Sequence, residues 1–72
     1  MKYRGMIRPE IERITENANF TDDEMEIFTL LTREKSLIEI STRTNLSVST
    51  VKRRIAKIDV KVARINGTNN NQ

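Results

Sequence analysis

The feature that most constrains the fold is an apolar stripe in the last third of the sequence. Its residues recur at spacings of three, four, three, four and three, and they are Val48, Val51, Ile55, Ile58, Val62 and Ile65. This period puts them all on one face of an α-helix of about five turns, and such a face must be buried against other elements. No segment alternates apolar and polar residues for long enough to predict a strand. We therefore expect an all-α fold.

Local signals predict where three earlier helices begin. Pro9 suits the first position of a helix. The apolar face of that first helix is predicted to consist of Ile7, Ile11, Ile14 and Ala18. Thr21 with Glu24, and Ser36 with Glu39, have the spacing of capping boxes that open the second and third helices. The four predicted helices span residues 9–18, 22–33, 37–43 and 48–65.

These helices are expected to form a single domain over residues 1–66. The second helix is apolar around a wide arc, so it should lie centrally and touch several neighbours. Gly67 suits the position just after the end of the last helix. We expect the polar tail, residues 67–72, to be disordered.

The composition argues against several classes of function. The chain has no Cys and no His, so it lacks the usual zinc ligands and the side chain that transfers protons near neutral pH. We therefore expect no catalytic residues, no metal site, no cofactor and no enzymatic activity. Charged residues make up 32% of the chain and no apolar run is long enough to span a membrane. We predict a cytoplasmic protein.

Positive charge is concentrated in the second part of the chain. Residues 1–40 hold six basic and nine acidic residues, whereas residues 41–72 hold seven basic and one acidic residue. A basic face on a small domain most often binds a polyanion, and nucleic acid is the commonest one. Charge alone fits a solvated basic helix equally well.

Residues 36–55 have the arrangement of a helix-turn-helix. Ser41 is small where two helices would cross, Asn45 tolerates the positive φ of a tight turn, and Leu46 would fill the corner. Ser47 is suited to cap the second helix.

This pattern resembles a known family. The segments 20–31, 39–41 and 45–55 are similar to the DNA-binding domain of LuxR/GerE-type transcription regulators, and the resemblance extends over residues 20–65. Sigma-factor region 4 and phage helix-turn-helix regulators share the shorter pattern. The resemblance implies DNA binding through a recognition helix and places Thr50 on its DNA side. Where that family has a further C-terminal helix, often used for dimerisation, we expect the helix at 7–18 to close the core instead.

The predicted DNA contacts follow from the outward face of the last helix. With the stripe buried, small and basic side chains point away from the core, as a helix in the major groove requires. The candidate base-reading residues are Val48, Ser49 and Arg53. The candidate phosphate-binding residues are Lys35, Ser36, Arg43, Thr50, Lys52, Arg54, Lys57, Lys61 and Arg64. The free N–H groups at the start of the third helix would add to such a phosphate site.

Simpler roles compete for some of these residues. Arg54 lies close to the stripe, so its stem fits a role in covering apolar surface equally well. Lys61 and Arg64 are equally consistent with cations that stabilise a helix C-terminus. Ser36 is first of all a cap, and the acidic residues 22–24 are expected to cap the second helix and to complement its dipole rather than to bind a metal.

The leading prediction is a sequence-specific double-stranded DNA-binding protein, a small transcriptional regulator or phage-type factor. The alternative is a protein interaction module whose long apolar-striped helix is partly exposed and pairs with a second copy or with a protein partner. The exposed position predicted for Val60 motivates this alternative. If the last helix self-associates, two recognition helices would address half-sites about 34 Å apart.

Overall fold

The computed structural model describes residue 3 and residues 5–70, with side chains up to residue 66. The described chain forms four helices and contains no strand. In chain order they are α1 (Arg8–Asn17), α2 (Asp22–Thr32), α3 (Leu37–Thr44) and α4 (Val48–Asn70). The all-α prediction is confirmed. Within this part of the chain, no helix combines the length and the apolar character needed to cross a membrane.

The core lies where α2, α3 and α4 meet. Helix α4 packs against α1, α2 and α3, while α2 packs against α3 and α4. The several neighbours predicted for α2 are present, but the central place belongs to α4. The fully buried apolar side chains are Ile14, Ile27, Phe28, Leu31, Ile40, Val51 and Ile58. They come from all four helices. Each helix therefore depends on the others to bury its apolar face.

The three aromatic residues of the chain pack around one ring. The rings of Tyr3 and Phe28 meet edge to face at 5.2 Å, and Phe20 lies 5.1 Å from Phe28 on a tilt. The buried Tyr3 hydroxyl donates a hydrogen bond to Asp59 of α4. Burial, together with this hydrogen bond and the charge of Asp59, raises the pKa of Tyr3 above its ordinary value of 10.0. The segment before α1 is thus attached to the side of α4.

One of the two predicted capping boxes is complete. The Glu24 backbone N–H donates to Thr21 Oγ1 at 3.2 Å, and the Thr21 N–H donates to Glu24 Oε1 at 3.0 Å. At α3 only half of the box forms: Ser36 Oγ accepts from the Glu39 N–H at 3.1 Å. The Glu39 carboxylate is instead held by Arg43 Nη2 at 3.0 Å. The prediction of a full box at Ser36 is wrong because a cation one turn later competes for the carboxylate.

Two isoleucines of the described chain are exposed, and one of them, Ile7, was predicted to face the core. Ile7 is 65% exposed because it is the N-cap of α1 and not part of its helical face. Tyr3 and Met6, which precede it, contribute to the core instead. Ile38 of the third helix is 73% exposed, while Ile40 is fully buried. On a helix as short as α3, only a narrow strip of residues reaches the core.

The last helix is longer than predicted. Helix α4 continues through Gly67 to Asn70, so the predicted end near residue 66 is wrong. Glycine costs a helix only about 1 kcal/mol relative to alanine, and it does not interrupt the hydrogen-bond ladder as proline does. Of the predicted disordered tail, residues 67–70 are helical, and residues 71 and 72 lie outside the described residues.

Candidate nucleic-acid interface

Helix α4 begins after a short connection with a fixed conformation. Asn45 ends α3 in the left-handed region, with φ 62° and ψ 25°, as the sequence predicted. Ser41 Oγ donates to the Leu46 carbonyl oxygen at 2.5 Å, and the Leu46 side chain packs against the core. Ser47 Oγ accepts from the Thr50 N–H at 3.1 Å and so caps α4. These contacts hold the start of α4 in a defined position against α3.

The buried stripe determines which residues of α4 face outward. Val51 and Ile58 are fully buried and Val62 is nearly so. At about 100° per residue, the opposite face carries Ser49, Arg53, Ala56 and Val60, and all four are exposed. Lys52 and Lys57 flank this face and are exposed as well. We call residues 49, 52, 53, 56 and 57 the outer face of α4.

The candidate base-reading residues lie on the first two turns of α4. Val48 is 36% exposed, and Ser49 and Arg53 are exposed. Arg53 Nη2 donates to Thr50 Oγ1 at 3.2 Å, and Ser47 Oγ donates to the same hydroxyl at 3.0 Å. The guanidinium of Arg53 is therefore held near the N-terminal end of the helix by a single neutral hydrogen bond. Replacing that hydrogen bond with one to a stronger acceptor therefore costs little free energy.

The cations of the outer face differ from the other basic candidates in their acidic neighbours. Within the described residues, no carboxylate lies at ion-pair distance from Lys52, Arg53 or Lys57. Two other candidate phosphate-binding residues share a carboxylate: Glu39 lies 3.0 Å from Arg43 and 3.8 Å from Lys35. That shared carboxylate leaves one net positive charge beside α3.

Two further candidates are paired with the start of α2. Arg54 Nη2 lies 3.5 Å from Asp23 Oδ2. Lys61 Nζ donates to Glu24 Oε1 at 2.6 Å and to the Asn19 carbonyl oxygen at 3.1 Å. Arg54 therefore combines a position beside the stripe with an ion pair, and Lys61 connects α4 to the beginning of α2.

The pair of Lys61 and Glu24 is a structural ion pair. Glu24 is only 2% exposed, and its carboxylate also completes the Thr21 capping box. Burial by itself would raise the pKa of Glu24. The hydrogen bonds from Lys61 and from the Thr21 N–H, with the charges of Lys61 and Lys57, hold that pKa below its ordinary value of 4.5. Glu24 is thus ionised at neutral pH and satisfied in the core.

Two sequence interpretations change with this geometry. Lys61 and Arg64 do not stabilise the C-terminus of α4, because the helix continues to Asn70 and has no basic residue in its last turn. The acidic residues 22–24 occupy the first turn of α2, as expected, but Glu24 has the additional partner on α4. No group of three acidic side chains able to hold a metal ion occurs in the described part of the chain.

Sequence reasoning missed the contacts between distant residues. Glu24 and Lys61 are 37 positions apart, and Tyr3 and Asp59 are 56 positions apart. One signal for the first pair was available. Arg54 and Lys61 are seven residues apart and lie on the same flank of the stripe, where a neighbouring helix would meet them.

Comparison with protein-family models, with curated proteins and with solved structures finds no match to this chain. The resemblance to LuxR/GerE-type domains therefore rests on residues 20–65 of the sequence alone. Any function must be argued from the geometry of α3, the connection and α4.

Proposed function

We propose that this protein binds double-stranded DNA sequence-specifically, with α3 and α4 as a helix-turn-helix and the first three turns of α4 as the recognition helix. The observation that carries the proposal is the outer face of α4. It is exposed, it bears small and basic side chains, and its cations Lys52, Arg53 and Lys57 lack a carboxylate partner among the described residues. A solvated surface helix is normally laced with both signs of charge.

The side chains suit the base edges of the major groove. Arg53 has the reach and the donor geometry for a bidentate contact with guanine, after releasing Thr50. Ser49 is small enough to let the helix approach and offers a hydroxyl to base edges. Val48, partly exposed at the first position of the helix, fits a thymine methyl group.

Phosphate binding would position this helix without reading sequence. Lys52 and Lys57 are the strongest candidates because neither forms an ion pair with any described residue that DNA binding would have to break. Arg43 and Lys35, with the Ser36 end of α3, would add a second anchor across the turn. Arg54 would have to give up Asp23, and Lys61 would have to leave a buried carboxylate, so we assign Lys61 a structural role instead.

The alternative of an interaction module keeps part of its support. Val60 is 58% exposed, as that alternative expects, and Val48 at the start of the stripe is 36% exposed, but Val51, Ile58 and Val62 are buried and Ile55 and Ile65 pack against the core. A coiled coil along that stripe would require the domain to open. A small transcriptional regulator or phage-type factor acting in the cytoplasm remains the reading that best fits the outer face.

Selection from a randomised duplex pool, followed by fluorescence anisotropy on the enriched and on a mixed-sequence duplex, tests the proposal. We expect an enriched motif that binds at least about tenfold more tightly than the mixed duplex, which corresponds to roughly one good bidentate base contact. A palindromic motif would show that two copies bind together. Equal affinity for all sequences would reject specific reading, and no binding at low salt would reject the function.

A further inference from the structure

An apolar groove overlaps the C-terminal end of the outer face of α4. It is shallow, with a volume of about 290 Å³, and it is lined by Ala56, Lys57, Val60, Lys61 and Arg64. Val60 is 58% exposed and Ala56 is exposed, so the floor of the groove is open to solvent. Val60 follows Arg53 by seven residues, which is about 10 Å along the helix axis.

The chemistry of the groove differs from that of a phosphate site. Its floor consists of two side chains without a hydrogen-bond donor, together with the aliphatic stems of the flanking cations. The ammonium of Lys61 turns away toward Glu24, so this residue contributes mainly its stem. The exposed Lys57 and Arg64 place positive charge at the rim. The groove can thus bind an apolar side chain between cationic groups.

This charge distribution selects the kind of occupant. Two copies of the chain meeting at Val60 would bring their Lys57 side chains into one interface, where like charges repel. A segment with an apolar residue flanked by Asp and Glu would match both the floor and the rim. We propose that the groove docks an acidic amphipathic helix of a partner protein. The groove shares Ala56 and Lys57 with the outer face, but the proposal does not depend on DNA binding, because its central contact is Val60.

The test is a nuclear magnetic resonance titration of the full chain with a synthetic amphipathic helical peptide, leucine on one face and Glu and Asp on the other. A scrambled peptide of the same composition is the control for charge alone. We expect backbone amide shifts concentrated at residues 56–64 with the amphipathic peptide and not with the scrambled one. Equal shifts with both peptides, or shifts outside this segment, would overturn the proposal.

Variants of Val60 make the test specific. Val60→Ser should weaken peptide binding at least about tenfold, as removal of a central apolar contact does, and Val60→Ile should preserve it. Both keep the charge of α4, and the site is exposed, so the fold should be unaffected. Arg53→Ala should leave peptide affinity unchanged.

Two results would assign the groove to another occupant and reject the acidic partner. If Val60→Ser weakens duplex binding as much as Arg53→Ala does, the groove belongs to the DNA surface. If the wild-type chain sediments as a dimer and Val60→Ser sediments as a monomer, a second copy fills it. Loss of duplex binding alone, with peptide binding intact, would reject only the DNA function.

Discussion

Helix α4 carries two groups of cations that differ in what they face. Lys52, Arg53 and Lys57 point to solvent, while Arg54 and Lys61 meet the acidic start of α2. Both groups come from the same basic stretch of sequence. What separates them is the angle each residue makes with the buried stripe, since Arg54 and Lys61 lie beside it and the others lie further around the helix. The count of basic residues therefore overstates the surface available to a polyanion.

The largest expected effect is a loss of stability when the ion pair of Lys61 is removed. Lys61→Ala leaves the buried Glu24 carboxylate without its partner, and we expect it to lower the free energy of unfolding by about 3–5 kcal/mol. Chemical denaturation followed by circular dichroism measures this loss. Lys52→Ala, on the same helix but exposed, is the matched control and should change stability by no more than about 0.5 kcal/mol. Similar losses for both variants would erase the distinction between the two groups.

The second effect is a loss of DNA affinity when a solvent-facing cation is removed. Arg53→Ala should weaken binding to the selected motif by about 1–3 kcal/mol, because it removes the proposed bidentate base contact. Its stability should stay within about 0.5 kcal/mol of the wild type, since the side chain is exposed. Arg8→Ala, which removes an equal charge from α1, is the control. Equal affinity losses in both variants would mean that Arg53 contributes only general electrostatic attraction and no base contact.

Acid should weaken the pair of Glu24 and Lys61. Because the folded-state pKa of Glu24 lies below its ordinary value of 4.5, its contribution to stability is complete above that pH. The contribution is lost as the pH falls through the folded-state pKa, where protonation breaks the pair with Lys61. Thermal unfolding of the wild type and Glu24→Gln between neutral and acidic pH measures it. The difference in stability between them should shrink with acid, and a constant difference would contradict the assignment.

The smallest effect concerns the exposed ion pair. Arg54 and Asp23 are 35% and 50% exposed and 3.5 Å apart, so solvent screens their attraction. Asp23→Asn should cost less than about 1 kcal/mol of stability. It should also release Arg54 and leave duplex affinity equal or slightly higher, which anisotropy would detect. A loss of affinity would mean that the pair orients Arg54 toward the duplex.

Much of the fold was predictable because its signals are local. The spacing of the stripe predicted the buried face of α4. Thr21 and Glu24 predicted the start of α2, and Asn45 predicted the turn after α3. Each of these depends on residues within a few positions of one another. The end of α4 was missed because a single Gly67 weakens a helix without stopping it.

The end of α2 shows another limit. The Lys35 N–H donates to the Leu30 carbonyl at 3.1 Å and the Glu34 N–H to the Leu31 carbonyl at 3.0 Å, which is a Schellman motif. Its left-handed position, φ 64°, is filled by Glu34 and not by glycine or asparagine. The sequence therefore carries no glycine or asparagine signal for this helix end.

The candidate site was predictable in part. The outward direction of Ser49, Arg53 and Val60 followed from the helical period, and their exposure agrees with it. The role of Lys61 did not follow, because the choice of Glu24 as its partner depends on how two helices pack. Partner choice across a core is a tertiary property, and single-sequence patterns describe only one helix at a time.

The most direct test of the central claim is the salt dependence of binding to a mixed-sequence duplex, measured for the wild type and for the double variant Lys52→Ala/Lys57→Ala. The logarithm of the affinity should fall linearly with the logarithm of salt concentration, with a slope of about −0.9 per phosphate neutralised. If the outer face of α4 binds DNA, the double variant should reduce the magnitude of that slope by about 1.8 while keeping its thermal stability. An unchanged slope, or no binding by the wild type at low salt, would contradict the claim.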